Sequence, residues 1–334
     1  MKSAPDQLRD LATRLLLSRG ASPEPAALQA DVLIEAELRG LPSHGLQRLP
    51  LLLSRIEKGL ANPNTFGTGT LTRQAFWSVD GERGLGPVVV MNALRIMKNA
   101  LPETGVAVAA IRNANHIGML AYYAEAAARD GLIAIIMSTS EALVHPFGGT
   151  EAMLGTNPFS VGIPTHEQPF VLDLATSAVP MGKIKNYALC GAKIPPDWAV
   201  DADGRPTEDP VAAQQGAIAP FGGAKGYGLG LAIELLVATL AGSVLSPQVH
   251  GTLDDAHPVN KGDLLILVDP AAGNGTLPAL TAYLRSLRLS RPLDPSRPVA
   301  VPGDGGRRRR AVAMKEGIAL PQPLLEQLKA LEAT

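Results

Sequence analysis

The stretch GVAVAAIRNANHIGMLAYYAEAAARDGLIAIIMSTS, residues 105–140, decides the fold class of this 334-residue chain. Residues 105–114 form an apolar run, which predicts a buried strand. The segment 116–131 has the composition of a helix, and residues 132–140 predict a second buried strand. A strand, a turn, a helix and a further strand in this order are typical of an α/β fold.

The segments on both sides of this unit also have readable patterns. Pro23 after Ser22 marks a helix start and Gly40 a helix stop. A further helix begins at or near Pro50, because proline is tolerated at the first position of a helix. The predicted helices are 5–19, 23–39, one from about residue 50, 86–101, 226–245 and 321–332; the predicted strands outside the central unit are 159–165, 170–176 and 263–270. Residues 186–220 are predicted to be loop, and 296–310 to be a tail rich in proline, glycine and arginine.

The composition describes a compact protein with many turns, since 46% of the residues are hydrophobic, 18% are charged, and there are 34 glycines and 28 prolines. The formal net charge of −1 provides no global positive field, so we expect neither a nucleic-acid partner nor a membrane partner.

The single Cys190 excludes an internal disulfide and fits a reducing compartment. With no apolar signal segment near the start, we expect a cytoplasmic protein. Residues 226–245 are long enough to span a bilayer, but Glu234 near their centre favours a buried helix of a soluble domain.

The segment GLPSHGLQRLP, residues 40–50, places a hydroxyl, an imidazole and a guanidinium within six positions. Arg48 can bind a carboxylate through two parallel charge-assisted hydrogen bonds. His44 is a natural proton donor, because the unperturbed pKa of imidazole lies near neutral pH. Ser43 beside His44 also raises nucleophilic catalysis, but the hydrolase motif G-x-S-x-G does not match and no strand leads into the segment. The alternative is a surface turn that holds these side chains by chance.

Further segments contain candidate binding residues, although the G-x-G-x-x-G fingerprint of a Rossmann domain is missing. In NANHIG, residues 113–118, Asn115 and His116 lie where strand ends present side chains to a ligand, or where a histidine caps a helix. In GGAKGYGLG, residues 222–230, glycines and Lys225 precede a helix, as in an anion cradle or in close helix packing. The remaining candidates are hydrogen-bonding groups at turns and strand ends: Thr156, Asn157, Asp173 and Thr176.

Two other segments allow a functional and a structural interpretation. HGTLDDAHP, residues 250–258, has the composition of a metal site, but it lacks histidines at helical spacing, so we expect no metal. The run from Arg307 to Arg310 is either a solvated patch or a clamp for a phosphate, to which guanidinium groups are well suited.

Eight segments together resemble the malate/L-lactate dehydrogenase family that is unrelated to the Rossmann-fold enzymes of similar name. Its members include sulfolactate dehydrogenase, ureidoglycolate dehydrogenase, 2,3-diketogulonate reductase and piperideine-2-carboxylate reductase. The segments follow the family order from about residue 35 to 320: SHGLQRLP, VDGERGLG, NANHIG, HPFGGTEAMLGTNPFSVGIPT, VLDLATSAVPMGKI, DADGRPTEDP, GGAKGYGLGLAIELL, and VPGD with the late GIAL. The resemblance implies a non-Rossmann α/β domain with a mixed sheet that binds a nicotinamide dinucleotide, beside a largely helical domain, with active sites formed in homodimers.

The same resemblance implies a division of the chain. Residues 1–70 and about 226–295 would form the mainly helical domain that carries SHGLQRLP. Residues 71–225 and about 296–320 would form the NAD(P)-binding domain, and 321–334 a C-terminal helix.

Site roles follow from the resemblance, position by position. His44 is the implied proton donor, oriented by Ser43, with His116 as the rival donor; Arg48 is the implied carboxylate anchor and Thr156 a substrate contact. The implied cofactor contacts are His116, Ile117, Gly118, Met119, Leu120, Asp173, Leu174, Ala175, Lys225 and Gly226, with Arg307 and Arg308 at the adenosine phosphate. These arginines favour NADP over NAD.

This chain departs from the family pattern at two positions. Leu52 stands where many relatives carry tyrosine, and Lys183 stands near the place of an aspartate in imine-reducing members. We therefore expect NAD(P)H-dependent interconversion of a small 2-oxo acid, a carboxylate substrate, and its 2-hydroxy acid. One alternative is NADPH-dependent reduction of a cyclic imino acid such as piperideine-2-carboxylate or pyrroline-2-carboxylate. The other is a nucleotide-binding regulator without catalysis, which would have no use for His44 beside Arg48.

Overall fold

A seven-stranded mixed sheet organises the fold in the computed structural model, which describes residues 2–273 and 275–332. The strands are β1 (Lys2–Ser3), β2 (Thr68–Arg73), β3 (Phe76–Asp80), β4 (Val106–Arg112), β5 (Ile133–Ser138), β6 (Phe159–Ile163), β7 (Phe170–Leu174), β8 (Ala199–Val200), β9 (Ala217–Ile218), β10 (Gly262–Val268) and β11 (Ile318–Ala319). The large sheet has the order β2-β3-β4-β10-β5-β6-β7, and β1–β11 and β8–β9 form separate pairs. Within the large sheet β3 and β4 are parallel and the other neighbours are antiparallel. The predicted α/β class with a mixed sheet is confirmed.

Helices cover both faces of this sheet and form a second body beside it. They are α1 (Pro5–Ser18), α2 (Pro23–Leu38), α3 (Leu49–Glu57), α4 (Gly86–Lys98), α5 (Leu101–Thr104), α6 (Ala121–Arg129), α7 (Met181–Leu189), α8 (Pro210–Ala213), α9 (Ala224–Ala241), α10 (Leu277–Leu289), α11 (Asp304–Glu316) and α12 (Gln322–Glu332). Short 3-10 turns lie at Pro42–His44, Leu46–Arg48, Ser246–Gln248 and Pro270–Ala272.

Strand β10 shows why the layers form. Side chains alternate between the two faces of a strand. Leu264 and Ile266 therefore pack with α9 on one face, while Leu265 and Leu267 pack with α4 and α6 residues on the other. A strand covered on both faces has no solvent side, which explains the uninterrupted apolar run of this segment.

The helical body has its own core. Leu8 and Leu15 of α1 pack with Leu38 of α2, Leu53 of α3 and Leu328 of α12, all of them buried. Helix α2 also packs on α4, and so joins this body to the sheet.

The sheet topology corrects the expected division of the chain in two places. The resemblance assigns the segment 226–295 to the helical domain, but this segment contains β10, which lies between β4 and β5, and α9, which packs on these strands. It assigns the segment 296–320 to the α/β domain, but α11 packs on α2, and Ile318 and Leu320 belong to the helical core. The chain thus returns to the sheet and then to the helical body.

Two predicted elements differ from the structure. The end of the predicted tail, residues 304–310, is the first half of α11. This helix is held by ion pairs rather than by an apolar stripe: Arg310 binds Glu35, and Asp304 binds Arg288. Part of the expected loop 186–220 belongs to α7 and α8. Helix α9 passes the test of length and hydropathy for a membrane span, but one face of it is buried against the sheet.

Candidate active site

The turn that carries Ser43, His44 and Arg48 is fixed by its neighbours in α2. Gly40 has φ +72° and ends the helix, with the Leu41 N–H donating to Ala36 O at 2.8 Å. Buried Glu37 accepts a 2.8 Å hydrogen bond from the Leu46 N–H. A Cβ at Gly45 would lie 2.2 Å from Glu37 Oε1, so any other residue there would displace the Glu37 carboxyl from its hydrogen bond.

The three predicted side chains of this turn lie together. Ser43 Oγ is 3.0 Å from His44 Nδ1, as expected for an orienting hydroxyl. Arg48 donates from Nε to the Ser43 carbonyl at 2.9 Å and from Nη1 to the Thr252 carbonyl at 3.0 Å. These hydrogen bonds hold the guanidinium at a defined place beside the imidazole.

His116 reaches the same place from the sheet. It follows the end of β4, and its ring centroid lies 5.5 Å from that of His44. Its Nδ1 accepts a 3.2 Å hydrogen bond from the Gly118 N–H. The two histidines that the sequence predicts as rival proton donors therefore face one site.

This site is a cavity of about 30 Å³ between the helical body and the sheet. Its polar wall consists of Gln29, His44, Arg48, Arg55, Asn115 and His116, and its apolar wall of Val32, Leu33, Leu51 and Leu52, with Gly118, Gly251 and Thr252 completing the lining. Leu52, at the position where many relatives carry tyrosine, forms part of the apolar wall.

Burial and positive charge shape the electrostatics of the cavity. Burial, followed by the charge of Arg48, lowers the pKa of His44 from 6.5 to about 4. Burial also lowers the pKa of His116, with further contributions from Arg48, His44 and Lys261. Burial lowers the pKa of Arg48 as well, while nearby Glu141 raises it. Both imidazoles are therefore neutral near pH 7.

The loop around Thr252, which the sequence presents only as a possible metal site, forms a wall of the cavity. Arg55, which is buried, donates to Asn115 Oδ1 at 2.9 Å and to the Asp254 carbonyl at 2.7 Å, so it ties this loop to the NANHIG turn. Glu141 accepts from the Thr252 N–H at 2.8 Å. Arg55 and Glu141 lie far from this loop in the chain, and no local motif marks either of them.

The predicted cofactor segments 116–120 and 173–175 meet at the start of α6. Asp173 Oδ2 accepts a 2.7 Å hydrogen bond from the Ala121 N–H, and burial raises the pKa of this carboxyl to about 6. His116 and Gly118 line the cavity, whereas the side chains of Ile117, Met119 and Leu120 are buried in the core. Leu174 and Ala175, next to Asp173, are half-buried.

Thr156 does not line the cavity, but hydrogen bonds connect its turn to the Thr252 loop. Its N–H donates to Ser140 Oγ at 3.0 Å, and Ser140 precedes Glu141, the partner of the Thr252 loop. Lys225 is exposed in the first turn of α9, outside the residues that line the cavity. Gly226 has a packing role, because a Cβ there would lie 2.0 Å from the Phe221 carbonyl oxygen.

A second concave region, the cationic groove, lies between α2, α6 and α11. It has a volume of about 460 Å³ and is lined by Arg39, Glu125, Arg129, Gln168, Asp304, Arg307, Arg310 and Ala311. Arg307 donates to the Pro169 carbonyl at 3.0 Å and to Asp304 at 2.8 Å, whereas Arg308 is exposed and does not line the groove. Of the two predicted phosphate contacts, the structure therefore brings one to the groove.

The structure also locates the loop considered as a metal site. The His250 and His257 rings are 5.2 Å apart, and His257 Nδ1 is 3.1 Å from Asp254 Oδ1. Within residues 2–273 and 275–332, no cluster of three or more ligand side chains could hold a metal ion.

Comparisons with known proteins agree with this fold. The chain matches the model for the malate/L-lactate dehydrogenase family over residues 3–329. L-sulfolactate dehydrogenase of Methanocaldococcus jannaschii is 36% identical over 98% of this chain and 95% of that protein. A Delta(1)-pyrroline-2-carboxylate reductase of Ancylobacter novellus is 35% identical over 95% of this chain and 93% of that protein. The crystal structure of a dehydrogenase from Sinorhizobium meliloti has a TM-score of 0.98 and 71% identity, covering 99% of this chain and 98% of that chain.

Fold, site and relatives define the class of the protein, an α/β oxidoreductase of the hydroxy-acid dehydrogenase and reductase type. The chain belongs to the malate/L-lactate dehydrogenase family, which confirms the resemblance seen in its motifs. A dehydrogenase of this family implies a nicotinamide cofactor. The residues present fit such a cofactor. His116 and Gly118 lie before the first residue of α6, and the arginines of the cationic groove lie toward the C-terminal end of α6.

Proposed function

We propose that this enzyme interconverts a small 2-oxo acid and its 2-hydroxy acid with NAD(P)H, on a malate-, lactate- or sulfolactate-like substrate. The observation that carries the proposal is one cavity lined by Arg48, His44 and His116. A guanidinium binds the carboxylate of such an acid, and an adjacent imidazole serves the neighbouring carbonyl oxygen.

Each group of the cavity has a role in this reaction. A bound nicotinamide supplies or accepts the hydride. Arg48 binds the substrate carboxylate and thereby fixes the carbonyl carbon beside it. This carboxylate also offsets the Arg48 charge that disfavours protonation of His44, so His44 takes up a proton from solvent as the oxo acid binds. His44, oriented by Ser43, gives this proton to the carbonyl oxygen during reduction and takes it back during oxidation. The leucines of the apolar wall exclude water from the reacting carbon.

We infer that the cofactor is NADP rather than NAD. Support comes from the cationic groove, where four guanidinium groups meet two carboxylates, those of Glu125 and Asp304. A phosphate on the adenosine ribose suits such a set of donors. In this proposal Asp173 and the 116–120 segment contact the cofactor between the groove and the cavity.

Reduction of a cyclic imino acid is the second candidate. The Ancylobacter relative named a pyrroline-2-carboxylate reductase is about as similar to this chain as the sulfolactate dehydrogenase is. The Lys183 ammonium lies 4.4 Å from the centre of the Trp198 ring, and Lys183 does not line the cavity, so it opposes a cationic imine less than the sequence alone suggests. Both substrate classes share the carboxylate that Arg48 binds.

The test is a substrate panel measured with NADPH and NADH: pyruvate, oxaloacetate, sulfopyruvate and Δ1-piperideine-2-carboxylate. We expect turnover on an oxo acid. His44→Gln should lower kcat roughly 10²–10⁴-fold, as expected for loss of a general acid. Arg48→Lys should mainly raise KM, because a point charge replaces a bidentate fork. The exposed His166→Gln is the control.

Each contrary result has a defined meaning. Turnover on the imine alone supports the second candidate. Full turnover by His44→Gln transfers the acid role to His116, and an unchanged KM in Arg48→Lys removes the anchor. Cofactor binding without turnover on any acid favours a nucleotide-binding regulator. The proposal also includes a homodimer, a cytoplasmic location, and no nucleic-acid or membrane partner.

A further inference from the structure

Three buried polar side chains that the proposed reaction does not use lie at the end of the sheet next to His116. The ammonium of Lys261 lies 2.5 Å from both carboxylate oxygens of Asp263, and Ser138 Oγ donates to Asp263 at 2.6 Å. Lys261 is 2% exposed and Asp263 is fully buried. A buried ion pair is weak support for stability, because desolvation of both charges opposes their attraction. Its position therefore needs another reason.

The strand register supplies the position. Gly262 of β10 pairs with Arg112, the last residue of β4. Lys261 thus lies just beyond the strand end from which the NANHIG turn departs. The charge of Lys261 acts on His116 across this edge.

Backbone geometry fixes the hydrogen-bonding state of the His116 ring. Nδ1 accepts a hydrogen bond from the Gly118 N–H at 3.2 Å, so the ring nitrogen that holds a proton is Nε2. Gly118 has φ +74°, and a Cβ there would lie 2.8 Å from Val32 Cγ1, so the turn needs glycine. The ring therefore offers Nε2–H as a donor and has no free acceptor.

The charged groups that act on His116 come from three separate elements. They are Arg48 and His44 from the two 3-10 turns and Lys261, the residue before β10. Each is a cation when charged, and they add to burial, the largest cause, in lowering the pKa of His116. A protonated His116 would need to lose the Gly118 hydrogen bond and to face these three groups.

We propose that His116 works as a permanently neutral imidazole that donates a hydrogen bond from Nε2–H to the substrate carbonyl oxygen. Lys261 is a positioning residue in this proposal, because its charge adds to the burial and the Arg48 charge that keep the ring neutral. This role rests on the proposed function, since it places an oxo acid in the cavity. A neutral imidazole polarises a carbonyl without giving up its proton. His44 is then the single proton donor, and His116 is a hydrogen-bond donor that keeps its proton.

The tautomer can be tested without turnover. In the full chain with ¹⁵N-labelled histidine side chains, the His116 signals are assigned by their loss in His116→Gln. We expect an unprotonated Nδ1 and a protonated Nε2 from pH 5.5 to 8. A ring that is protonated at pH 7, or protonated on Nδ1, overturns the proposal. Because this readout needs no substrate, it stands even where the proposed function fails.

The role of Lys261 needs a variant that folds. Lys261→Met leaves Asp263 buried without its partner, so the double variant Lys261→Met/Asp263→Leu is made beside it. In whichever variant folds, we expect the titration midpoint of His116 to move to higher pH, while Lys193→Met, at an exposed ion pair, leaves it in place. An unchanged midpoint in the folded double variant removes Lys261 from this role.

Kinetics separate a donor from an acid. His116→Ala should lower kcat about 10²–10³-fold, as loss of one preorganised donor does. His116→Gln keeps an N–H donor and should lose less. Neither variant should move the pH dependence of kcat, which His44 sets. A pH profile that loses an ionisation in His116→Gln would show that His116 is the acid after all.

Discussion

At the scale of single residues, the pKa of His44 depends on the charge of Arg48, the proposed anchor of the substrate carboxylate. The pKa of His44 is low because burial and the charge of Arg48 both oppose its protonation. A carboxylate bound to Arg48 would offset that charge, so the proton affinity of His44 would rise when substrate enters. In the proposed reaction Arg48 would thus act on the proton donor as well as on the substrate. This coupling explains why the two side chains are placed on adjacent 3-10 turns.

The same shift predicts a pH-dependent stability. The pKa of His44 falls from 6.5 in the unfolded chain to about 4 in the folded one, so the unfolded chain binds more protons between these values. The contribution of His44 is complete above about pH 6.5 and is lost as the pH falls toward 4. Its upper limit is about 3 kcal/mol in the free energy of unfolding, measured by urea denaturation. His44→Gln should show a flatter dependence over this window.

For Asp173 we expect the opposite dependence of the free energy of unfolding on pH. Its pKa is raised to about 6, so the folded chain binds more protons between pH 4 and 6 and stability falls as the pH rises through that window. His166→Gln is the neutral control. A His44→Gln variant with the wild-type slope would contradict the assigned burial of this imidazole.

At the scale of elements, α9 shows why an apolar helix carries one acidic residue. Glu234 accepts hydrogen bonds from Asn157 Nδ2 and Ser246 Oγ, both at 2.6 Å, and from the Ser246 N–H at 2.5 Å. Asn157 follows Thr156, and Ser246 also accepts from the Gly155 N–H at 2.8 Å. The Glu234 carboxylate therefore holds the turn that carries Thr156 in place through these hydrogen bonds.

Glu234→Ala should destabilise the protein by about 2–4 kcal/mol, because it leaves several buried donors without a partner. Chemical denaturation measures the change. Glu326→Ala removes an exposed side chain of α12 and should alter stability by less than about 0.5 kcal/mol. Equal, small effects of the two variants would mean that the buried donors find other partners.

A second prediction at this scale concerns α11. Arg307→Gln should raise KM for NADPH about tenfold, equivalent to roughly 1.4 kcal/mol, and leave KM for NADH nearly unchanged. Arg308→Gln is the matched control, since the neighbouring side chain is exposed and outside the cationic groove. Equal losses with both cofactors, or the same effect in Arg308→Gln, would contradict a phosphate site in the groove.

The sequence predicts those elements whose pattern is local. The helices at the N-terminus, strands β4, β5 and β10, and the SHGLQRLP turn all follow from periodicity, caps and a short motif. Helix α11 escapes prediction because its partners are distant, as in the ion pair of Arg310 with Glu35. The roles of Arg55 and Lys261 cannot be predicted from the sequence for the same reason. Each role depends on residues that only the folded chain brings near.

At the scale of the whole molecule, the site requires both bodies at once. His44 and Arg48 come from the helical body, His116 comes from the sheet, and Thr252 closes the cavity from the loop that leads into β10. The contact between α2 and α4 joins the two bodies, and each body provides one of the two imidazoles. Interactions that fix this contact would therefore serve the proposed reaction as well as stability.

One large feature is left without a partner in the described chain, the outer face of α9. Leu235 is 51% exposed, Leu236 48% and Leu240 39%, and Leu245 just after the helix is 45% exposed. Contiguous apolar surface of this kind marks interfaces in monomer structures. Since the proposed assembly is a homodimer, whose contact surface repeats on both subunits, we expect this face to lie in the interface.

Leu235→Glu combined with Leu236→Glu would place two charges in each half of that interface, four in all about the twofold axis. Burial of unpaired charges is strongly unfavourable, so we expect a monomer at micromolar concentration by light scattering or sedimentation. The control is Leu189→Glu with Leu293→Glu, two exposed leucines that are not part of α9, which should leave the mass at that of a dimer. A variant that stays dimeric would place the interface elsewhere. A monomer with a native circular dichroism spectrum would confirm the face, and its activity would then show whether one chain completes the cavity.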